Sequence, residues 1–399
     1  MRRFLPYYIF KFSFDLMLVY PFYVLIFQNR GQGEASIGWL LALWSASVVL
    51  LELPMGVLSD RIKRKTILLA AAFAKAAAFA IWIPANTFTL FTSGFILWGL
   101  SEALLSGTEE AWLYESLVEQ GRGQDYQKIK GRGSFCASIA VGTASILGGF
   151  VIPSGENTVL VLSVLACLVA AGAVLFFGNP PRTGGPDAGE APEEQFIPMV
   201  KSACTDILRS RRLFILTIFA SFILLTAGVM EEWDPVFLTS LGITPVWLGI
   251  WLAVRYGCES LGALAAHRMN RFLPGTRSMI AVAAVAALAL PAIGYFRILA
   301  LLPLYGLFYA IYAMLAVQTE GRMQDMIPGS RRATVMSVKS LIDNVLGIML
   351  ILATGYFAEA AGWPPVWLIA GAYVLILCVV LFAFTGRKKS SSGIDEQIV

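Results

Sequence analysis

The sequence predicts an all-α integral membrane protein of about twelve transmembrane helices in two six-helix, pseudo-symmetric halves. Three observations predict it. Hydrophobic residues make up 57% of the 399 residues and charged residues only 14%, whereas a soluble domain carries about 25% charged residues. Apolar runs recur at the length of a bilayer crossing, about 20 residues each. The basic residues gather in alternate connections between those runs, as the positive-inside bias requires.

In chain order the spans are predicted at 5–27, 37–58, 66–84, 89–117, 131–152, 158–178, 211–231, 246–266, 277–296, 299–320, 332–358 and 364–385. The first follows Arg2 and Arg3 like a signal peptide, but Asp15 interrupts its apolar run and no small-residue cleavage site follows. It therefore reads as an uncleaved span. Pro6 and Pro21 in span 1 and Pro54 in span 2 mark bends, which membrane helices tolerate. With the N-terminus in the cytoplasm, the even connections, the central linker and the tail face the cytosol. They hold Arg61, Lys63, Arg64, Lys65, Lys128, Lys130, Arg268, Arg271, Arg331 and Arg332, while the opposite face holds only Arg30 and Arg297. Both termini are thus expected on the cytoplasmic side. The absence of an N-x-S/T sequon points to a bacterial inner membrane.

The predicted domains are an N-terminal bundle over 1–178, a cytoplasmic linker over 179–210, a C-terminal bundle over 211–385 and a tail over 386–399. Residues 179–194 are rich in Pro, Gly and acid and read as a flexible linker. Phe196, Met199, Val200, Ala203, Ile207 and Leu208 share a helical face, which predicts an amphipathic helix at the membrane surface. The halves echo each other faintly. Gly56, Leu58, Ser59 and Asp60 after span 2 correspond to Gly262, Leu264, Ala265 and Ala266 after span 8. Arg132 and Arg332 stand at matching starts of spans 5 and 11. Parallel repeats of this kind fit a secondary transporter, with its binding site between the halves near the midplane.

These residues resemble the major facilitator superfamily over nearly the whole chain. The pattern G-x-L-A-D-R-x-G-R-K is matched between spans 2 and 3 by Gly56, Leu58, Asp60, Arg61, Arg64 and Lys65; Ser59 replaces its alanine and Lys63 its second glycine. The resemblance implies alternating access, with helices 1, 4, 7 and 10 lining a central cavity. The hairpin reads as a conformational switch. Gly56 allows close helix approach, and Asp60 acts on the start of span 11 near Arg331 and Arg332, where a helix N-terminus attracts anions. The drug–proton antiporters of the superfamily carry Gly-Pro in span 5 where this chain has Ala144 and Ser145 ahead of Gly148 and Gly149. Those two glycines read as close-packing points.

An ionisable side chain at the centre of a span costs at least about 2.5–3.5 kcal/mol on insertion scales, so each needs a partner or a role. Lys11 and Asp15, Arg255 and Glu259, and Lys339 and Asp343 are spaced i, i+4 and can neutralise each other or face a water-filled cavity. Glu52 and Lys75 are expected to pair across the first hairpin. Span 4 differs: Glu102, Ser106 and Glu109 recur at i, i+4, i+7 without a basic residue in their own helix. On a continuous helix they share one face over about 10 Å. One of the two acids is the candidate carrier of a coupling proton; the alternative is a salt bridge to Arg255 or Lys339 from the other half. Glu115 is expected near Arg132. Tyr305, Tyr309 and Tyr312 form a stripe in span 10, followed by Gln318. The stripe could stack on a substrate or simply pack. Trp39, Trp82, Trp98, Trp233, Trp247 and Trp363 near span ends read as interfacial anchors.

The function so predicted is a secondary active transporter of a small organic molecule, proton-coupled, with export of drugs or metabolites favoured. The alternatives are a proton-driven importer of a siderophore, peptide or sugar-like solute, and a non-transporting receptor or scaffold. An enzyme is not expected: His267 is the only histidine, the five cysteines are dispersed, and neither G-x-S-x-G nor a P-loop motif occurs. No cofactor, metal or nucleic acid is expected. The partners are substrate, protons and lipid, and the chain is expected to act as a monomer.

Overall fold

The computed structural model describes residues 4–181, 201–202, 204–327 and 331–386, without the side chains of Leu53, Val57, Asp60 and Ala333. Among these residues every regular element is a helix. In chain order they are α1 (Leu5–Asp15), α2 (Tyr23–Asn29), α3 (Glu34–Arg61), α4 (Arg64–Trp82), α5 (Phe88–Leu105), α6 (Thr108–Val118), α7 (Tyr126–Val151) and α8 (Glu156–Leu175). Then come α9 (Arg211–Ile218), α10 (Leu225–Ser240), α11 (Pro245–Met269), α12 (Thr276–Ala287), α13 (Ala289–Phe296), α14 (Leu302–Met326), α15 (Arg332–Ala361) and α16 (Trp363–Gly386).

Ten helical segments among the described residues are long and apolar enough to cross a membrane. The other two of the expected twelve are the first span and α11. The first span is not one helix. It stops at Asp15, turns through residues 16–22 and resumes at Tyr23. Pro21 lies in the turn and has no amide hydrogen to continue a helical ladder. Inside a bilayer the freed backbone groups need new partners. One is supplied by α8, where the Ser163 hydroxyl accepts from the Val19 N–H at 3.0 Å. α11 is continuous over Pro245–Met269 and carries Arg255 and Glu259. Span 4 is also broken. Ser106 leaves the helix at ψ 122° and Gly107 sits in the left-handed region at φ 69°, a conformation glycine adopts without steric penalty.

The chain packs as two bodies. The first comprises Met1–Pro198, Val229–Gly257 and Ser340–Val366; the second comprises Met199–Gly228, Cys258–Lys339 and Trp367–Val399. In the first body, Tyr7, Phe10, Phe14, Trp112 and Phe177 form one buried core. Phe27, Trp82, Phe91, Phe95 and Trp98 form an aromatic cluster beside it, with ring centroids 4.2–6.0 Å apart for contacting pairs. Lipid is as apolar as these rings, so the gain is dispersion and fit, not removal from water. Small residues let backbones meet. A Cβ on Gly149 would stand 2.6 Å from the Pro245 carbonyl oxygen and 3.2 Å from the Gly249 Cα, so α7 and the start of α11 touch through glycines, as expected of Gly149. At the end opposite the basic loops, Arg30 donates to the carbonyls of Trp82, Ile83 and Ala85 and pairs with Glu156 at 2.9 Å. It thereby caps the end of α4, whose last carbonyls have no helical partner.

In the second body α14 packs on α12, and a Cβ on Gly262 would fall 1.9 Å from the Ala310 carbonyl oxygen. The echo between the halves ends there. No described atom lies within 4 Å of the Cβ position at Gly56, so the expected close approach belongs to Gly262 and not to Gly56. The tryptophans also depart from expectation. Trp82, Trp98, Trp233 and Trp363 are buried, and only Trp39 and Trp247 are exposed in the manner of interfacial anchors. Residues 204–209 of the expected amphipathic helix are helical, with Ile207 buried and Leu208 exposed; residues 196–200 and 203 lie outside the described residues.

Candidate functional site: two buried charge clusters

Two clusters of charged side chains, some buried and some half-buried, lie in the first body. The first is assembled from spans 1, 3 and 4. Lys11 Nζ meets Glu109 Oε2 at 3.0 Å, and the Tyr7 hydroxyl donates to Glu109 Oε1 at 2.9 Å. Lys75, only 1% exposed, meets Glu102 Oε1 at 3.1 Å, and the Trp98 indole donates to the same oxygen at 3.0 Å. The Lys75 ammonium also lies 3.7 Å from the centroid of the Phe14 ring, a cation–π contact that strengthens where water is excluded. Asp15 is within electrostatic reach of both lysines.

The two breaks in the spans build this arrangement. Ending α1 at Asp15 leaves Lys11 and Asp15 in its last turns, beside span 4. The left-handed Gly107 starts a new helix, which places Glu109 in the first turn of α6. There the helix dipole favours a carboxylate. Glu102 and Glu109 therefore do not share one helical face, as a continuous span would require. Nor do they lack local cations: Lys75 and Lys11 of the same sequence half hold them. The expected Glu52–Lys75 staple is replaced by Lys75–Glu102, and Glu52 instead accepts from the Ser106 hydroxyl at 3.3 Å. Lys11 ion-pairs with Glu109, 98 residues away, rather than only with its i+4 neighbour.

The second cluster was not visible as a site in the sequence. Arg255, 1% exposed, pairs with Glu231 at 2.8 Å and approaches Asp234, fully buried, at 3.8 Å. Its guanidinium lies 4.4 Å from the Tyr256 ring centroid. The Tyr23 hydroxyl, from the first residue of α2, donates to Glu232 Oε2. These groups surround a cavity of about 20 Å³ lined by Tyr20, Tyr23, Glu231, Glu232, Arg255 and Tyr256 among others, room for roughly one water. The span predicted over 211–231 ends on Glu231 and leaves Glu232 and Asp234 past its end. The helix runs to Ser240, with Asp234 fully buried and Glu231 and Glu232 half-buried. The signal was available in the apolar residues Val236, Phe237 and Leu238 that continue the run.

The remaining candidates fall as follows. Arg61, Arg64 and Lys65 of the switch line a cavity of about 280 Å³ with Lys63, Glu115, Asn179 and Pro180. Glu115 pairs there with Arg64 at 3.6 Å, not with Arg132. The Asp60 side chain lies outside the described residues. Arg331 is bound by Asp206, through 2.8 and 3.0 Å contacts, and Arg332 is exposed. Tyr305, Tyr309 and Tyr312 are buried in the second body. The Tyr305 and Tyr309 hydroxyls are 3.1 Å apart, Trp367 donates to Tyr305 at 3.1 Å, and Tyr312 donates to the Ala283 carbonyl at 3.3 Å. Gln318 donates to the Ala266 carbonyl at 2.9 Å. Tyr305, Tyr312 and Gln318 thus bond to neighbouring helices, and the Tyr309 hydroxyl meets Tyr305 on its own helix. Lys339 and Asp343 lie one turn apart on α15, as Arg255 and Glu259 do on α11. Among the described residues no group of three or more His, Cys, Asp or Glu side chains could hold a metal.

Ten membrane-length apolar helices among the described residues, with ion pairs set between them, define an integral multi-pass membrane protein. The sequence profile of the Major Facilitator Superfamily matches residues 9–323, and the chain belongs to that superfamily. It is 22% identical over 236 residues to the uncharacterised MFS-type transporter YxaM of Bacillus subtilis (strain 168), a match spanning 59% of this chain and only 58% of that relative. Its fold is similar to the crystal structure of the nucleoside transporter NupG, with a TM-score of 0.75 at 17% identity over 97% of this chain and 100% of that one. It is also similar to the D-xylose–proton symporter, with a TM-score of 0.67 at 13% identity over 95% and 96% of the two chains.

Proposed function

We propose that this protein is a secondary active transporter that moves a small organic molecule by alternating access of its two six-helix halves, and that protons drive it. Its place would be a bacterial cytoplasmic membrane, with both termini inside. The observation that carries the reading is the first cluster. Two lysines stand among three carboxylates, Asp15, Glu102 and Glu109, with Lys75 and Glu109 buried and Lys11, Asp15 and Glu102 half-buried, so the acids outnumber the cations by one. A proton arriving on Glu109 or Glu102 frees Lys11 or Lys75 to turn to Asp15 or to an anionic group of a substrate. A buried lysine left unpaired is costly, so the proton and the replacement partner are coupled. The switch hairpin, with Gly56, Asp60, Arg61, Arg64, Lys65 and Arg332, would act on the cytoplasmic gate.

Export of a drug-like or metabolite solute remains the first reading of direction. The second reading, proton-driven uptake of a sugar-like, peptide-like or siderophore solute, is favoured by the fold shared with a sugar–proton symporter. The test is reconstitution into liposomes with an imposed pH gradient, screening dyes, nucleosides, sugars, peptides and siderophores. Substrate-dependent proton movement is the expected result, and its sign gives the direction. Glu109→Gln and Glu102→Gln should each abolish accumulation. Binding without flux would make the chain a receptor, and full activity in both variants would remove the first cluster from the coupling step.

A further inference from the structure

Outside both clusters, at the end of the first body that carries the basic loops, α4 begins with the wrong sign. A helix N-terminus carries partial positive charge and favours acids. α4 instead has Lys63 at its N-cap, without a side-chain cap, then Arg64 and Lys65, and no acid in its first turn. The cavity of about 280 Å³ lies against this start, between the end of α3, α6 and residues 179–180. That volume is near the lower bound of about 300 Å³ for small-molecule sites.

The walls of the cavity are held in place. The Arg64 guanidinium donates to the Ser59 carbonyl at 3.0 Å and pairs with Glu115 at 3.6 Å. The Lys65 ammonium donates to the Leu175 carbonyl at the end of α8. The Trp112 indole donates to the Gly178 carbonyl at 3.0 Å, which fixes the chain leading to Asn179 and Pro180. Arg61 and Lys63 line the cavity with exposed side chains. Glu115 also lines it, only 4% exposed, and its Oε2 has no hydrogen-bond partner among the described residues. A buried acceptor left unmet is costly. Two needs therefore converge on one volume. The cations and the helix start suit a phosphate, whose oxygens accept from several donors at once. The Glu115 oxygen needs a donor, which a hydroxyl supplies and a fully ionised phosphate does not.

We propose that this cavity binds a phosphate ester that also carries a hydroxyl group, with the phosphate at Arg61, Lys63 and the start of α4 and the hydroxyl donating to Glu115. That chemistry is shared by the headgroup of phosphatidylglycerol and by soluble glycerol phosphate. Leu175 and Phe176, apolar and exposed, adjoin the Lys65 contact and offer a surface for acyl chains, which favours the lipid. The bound ester places negative charge where the α4 dipole favours it and ties α3, α4 and α6 together. A ligand bound only by the folded chain stabilises it. No transport step enters the inference, so it stands or falls apart from the function proposed above.

The test is a titration of the full-length chain in neutral detergent, stripped of lipid, read by native mass spectrometry and by the thermal unfolding midpoint. The probes are short-chain phosphatidylglycerol, glycerol 3-phosphate, and short-chain phosphatidylmethanol, which has the same charge and no headgroup hydroxyl. Phosphatidylglycerol should be retained as one adduct per chain, raise the midpoint, and bind at least about tenfold more tightly than phosphatidylmethanol, the worth of one hydrogen bond to a charged group. Arg61→Gln with Lys63→Gln should weaken it at least about tenfold. Lys128→Gln, an exposed cation that does not line the cavity, should leave it unchanged. Saturable binding of glycerol 3-phosphate without phosphatidylglycerol, lost in the double variant, assigns the same site to the soluble ester. Equal affinity for phosphatidylglycerol and phosphatidylmethanol, equal losses in Lys128→Gln and the double variant, or saturable binding of neither ester overturns the proposal. The lipid comparison uses the unaltered chain, so it decides the matter even where the double variant does not assemble. Solute flux without ester binding overturns this inference alone, and ester binding without flux overturns the transport reading alone.

Discussion

The two buried clusters differ in how their charges are matched. Near spans 1, 3 and 4, two lysines serve three acids, and each lysine has its own carboxylate on another helix. Near spans 7 and 8, one arginine, Arg255, is shared by Glu231 and Asp234. Lysine carries a single compact charge on a flexible stem and can change partner; arginine presents a rigid fork that holds two. The first cluster is therefore suited to exchange and the second to fixed geometry. An aromatic bridge lies between them: Trp98 donates to Glu102, and its ring lies 6.2 Å from that of Tyr23, which donates to Glu232.

Removing the cations should expose this difference most strongly. Lys75→Met and Arg255→Met each take a buried cation away from a half-buried carboxylate, Glu102 or Glu231, at a cost below the about 3–5 kcal/mol of breaking a fully buried pair. Both should lower the thermal unfolding midpoint in detergent by many degrees. Adding Glu102→Gln to Lys75→Met should restore most of the loss, because one acid matched one lysine. Adding Glu231→Gln to Arg255→Met should restore less, because Asp234 also loses its contact with Arg255. Equal rescue in the two cases would erase the distinction between the clusters.

Tyr7→Phe removes a neutral donor to Glu109 while leaving Lys11 in place. A loss of about 1.5–3 kcal/mol is expected, read as the same midpoint together with a changed pH profile of transport. Gly107→Ala tests whether the break in span 4 builds the first cluster. A left-handed alanine costs about 1–2 kcal/mol, and the shift should be accompanied by weaker proton coupling, because Glu109 is aimed by that turn. The smallest effect is expected outside the clusters. Arg331 is exposed and Asp206 half-buried, so Arg331→Ala should change stability by less than about 1 kcal/mol.

The helical class and nearly all the spans were legible in the sequence because hydropathy is summed over twenty residues and tolerates local error. The charge partners were not. Spacing on a helix suggested Lys11 with Asp15 and Glu52 with Lys75, but it carries no information about which helices become neighbours. The ion pair to Glu109 joins residues on spans 1 and 4, and neither span is a straight rod. The breaks themselves left traces, Pro21 in one and Gly107 in the other, though a single proline or glycine in a membrane helix is common enough not to fix a break. The second cluster was missed for a plainer reason: the span carrying it was ended nine residues early, which put Glu231 at its last position and turned Glu232 and Asp234 into loop residues. The tyrosine stripe of α14 was legible as a stripe, and its hydrogen bonds to Trp367 and the Ala283 carbonyl show packing use that spacing alone could not.

The ion pair between Lys11 and Glu109 also has a schedule. Lys11 leaves the ribosome 98 residues ahead of its partner. At about 5–20 residues per second of synthesis it waits roughly 5–20 seconds. During that interval the first span must enter the membrane carrying a lysine and an aspartate, with span 4 not yet made. The neighbour within reach is Asp15, one turn along the same helix. The short-range pairing suggested by the sequence is thus the natural arrangement of the nascent chain, and Glu109 takes over when it arrives. Slowing or pausing translation between spans 1 and 4 would lengthen the time the chain depends on that temporary partner, so Asp15→Asn should reduce the yield of inserted protein by more than it reduces the stability of the finished one.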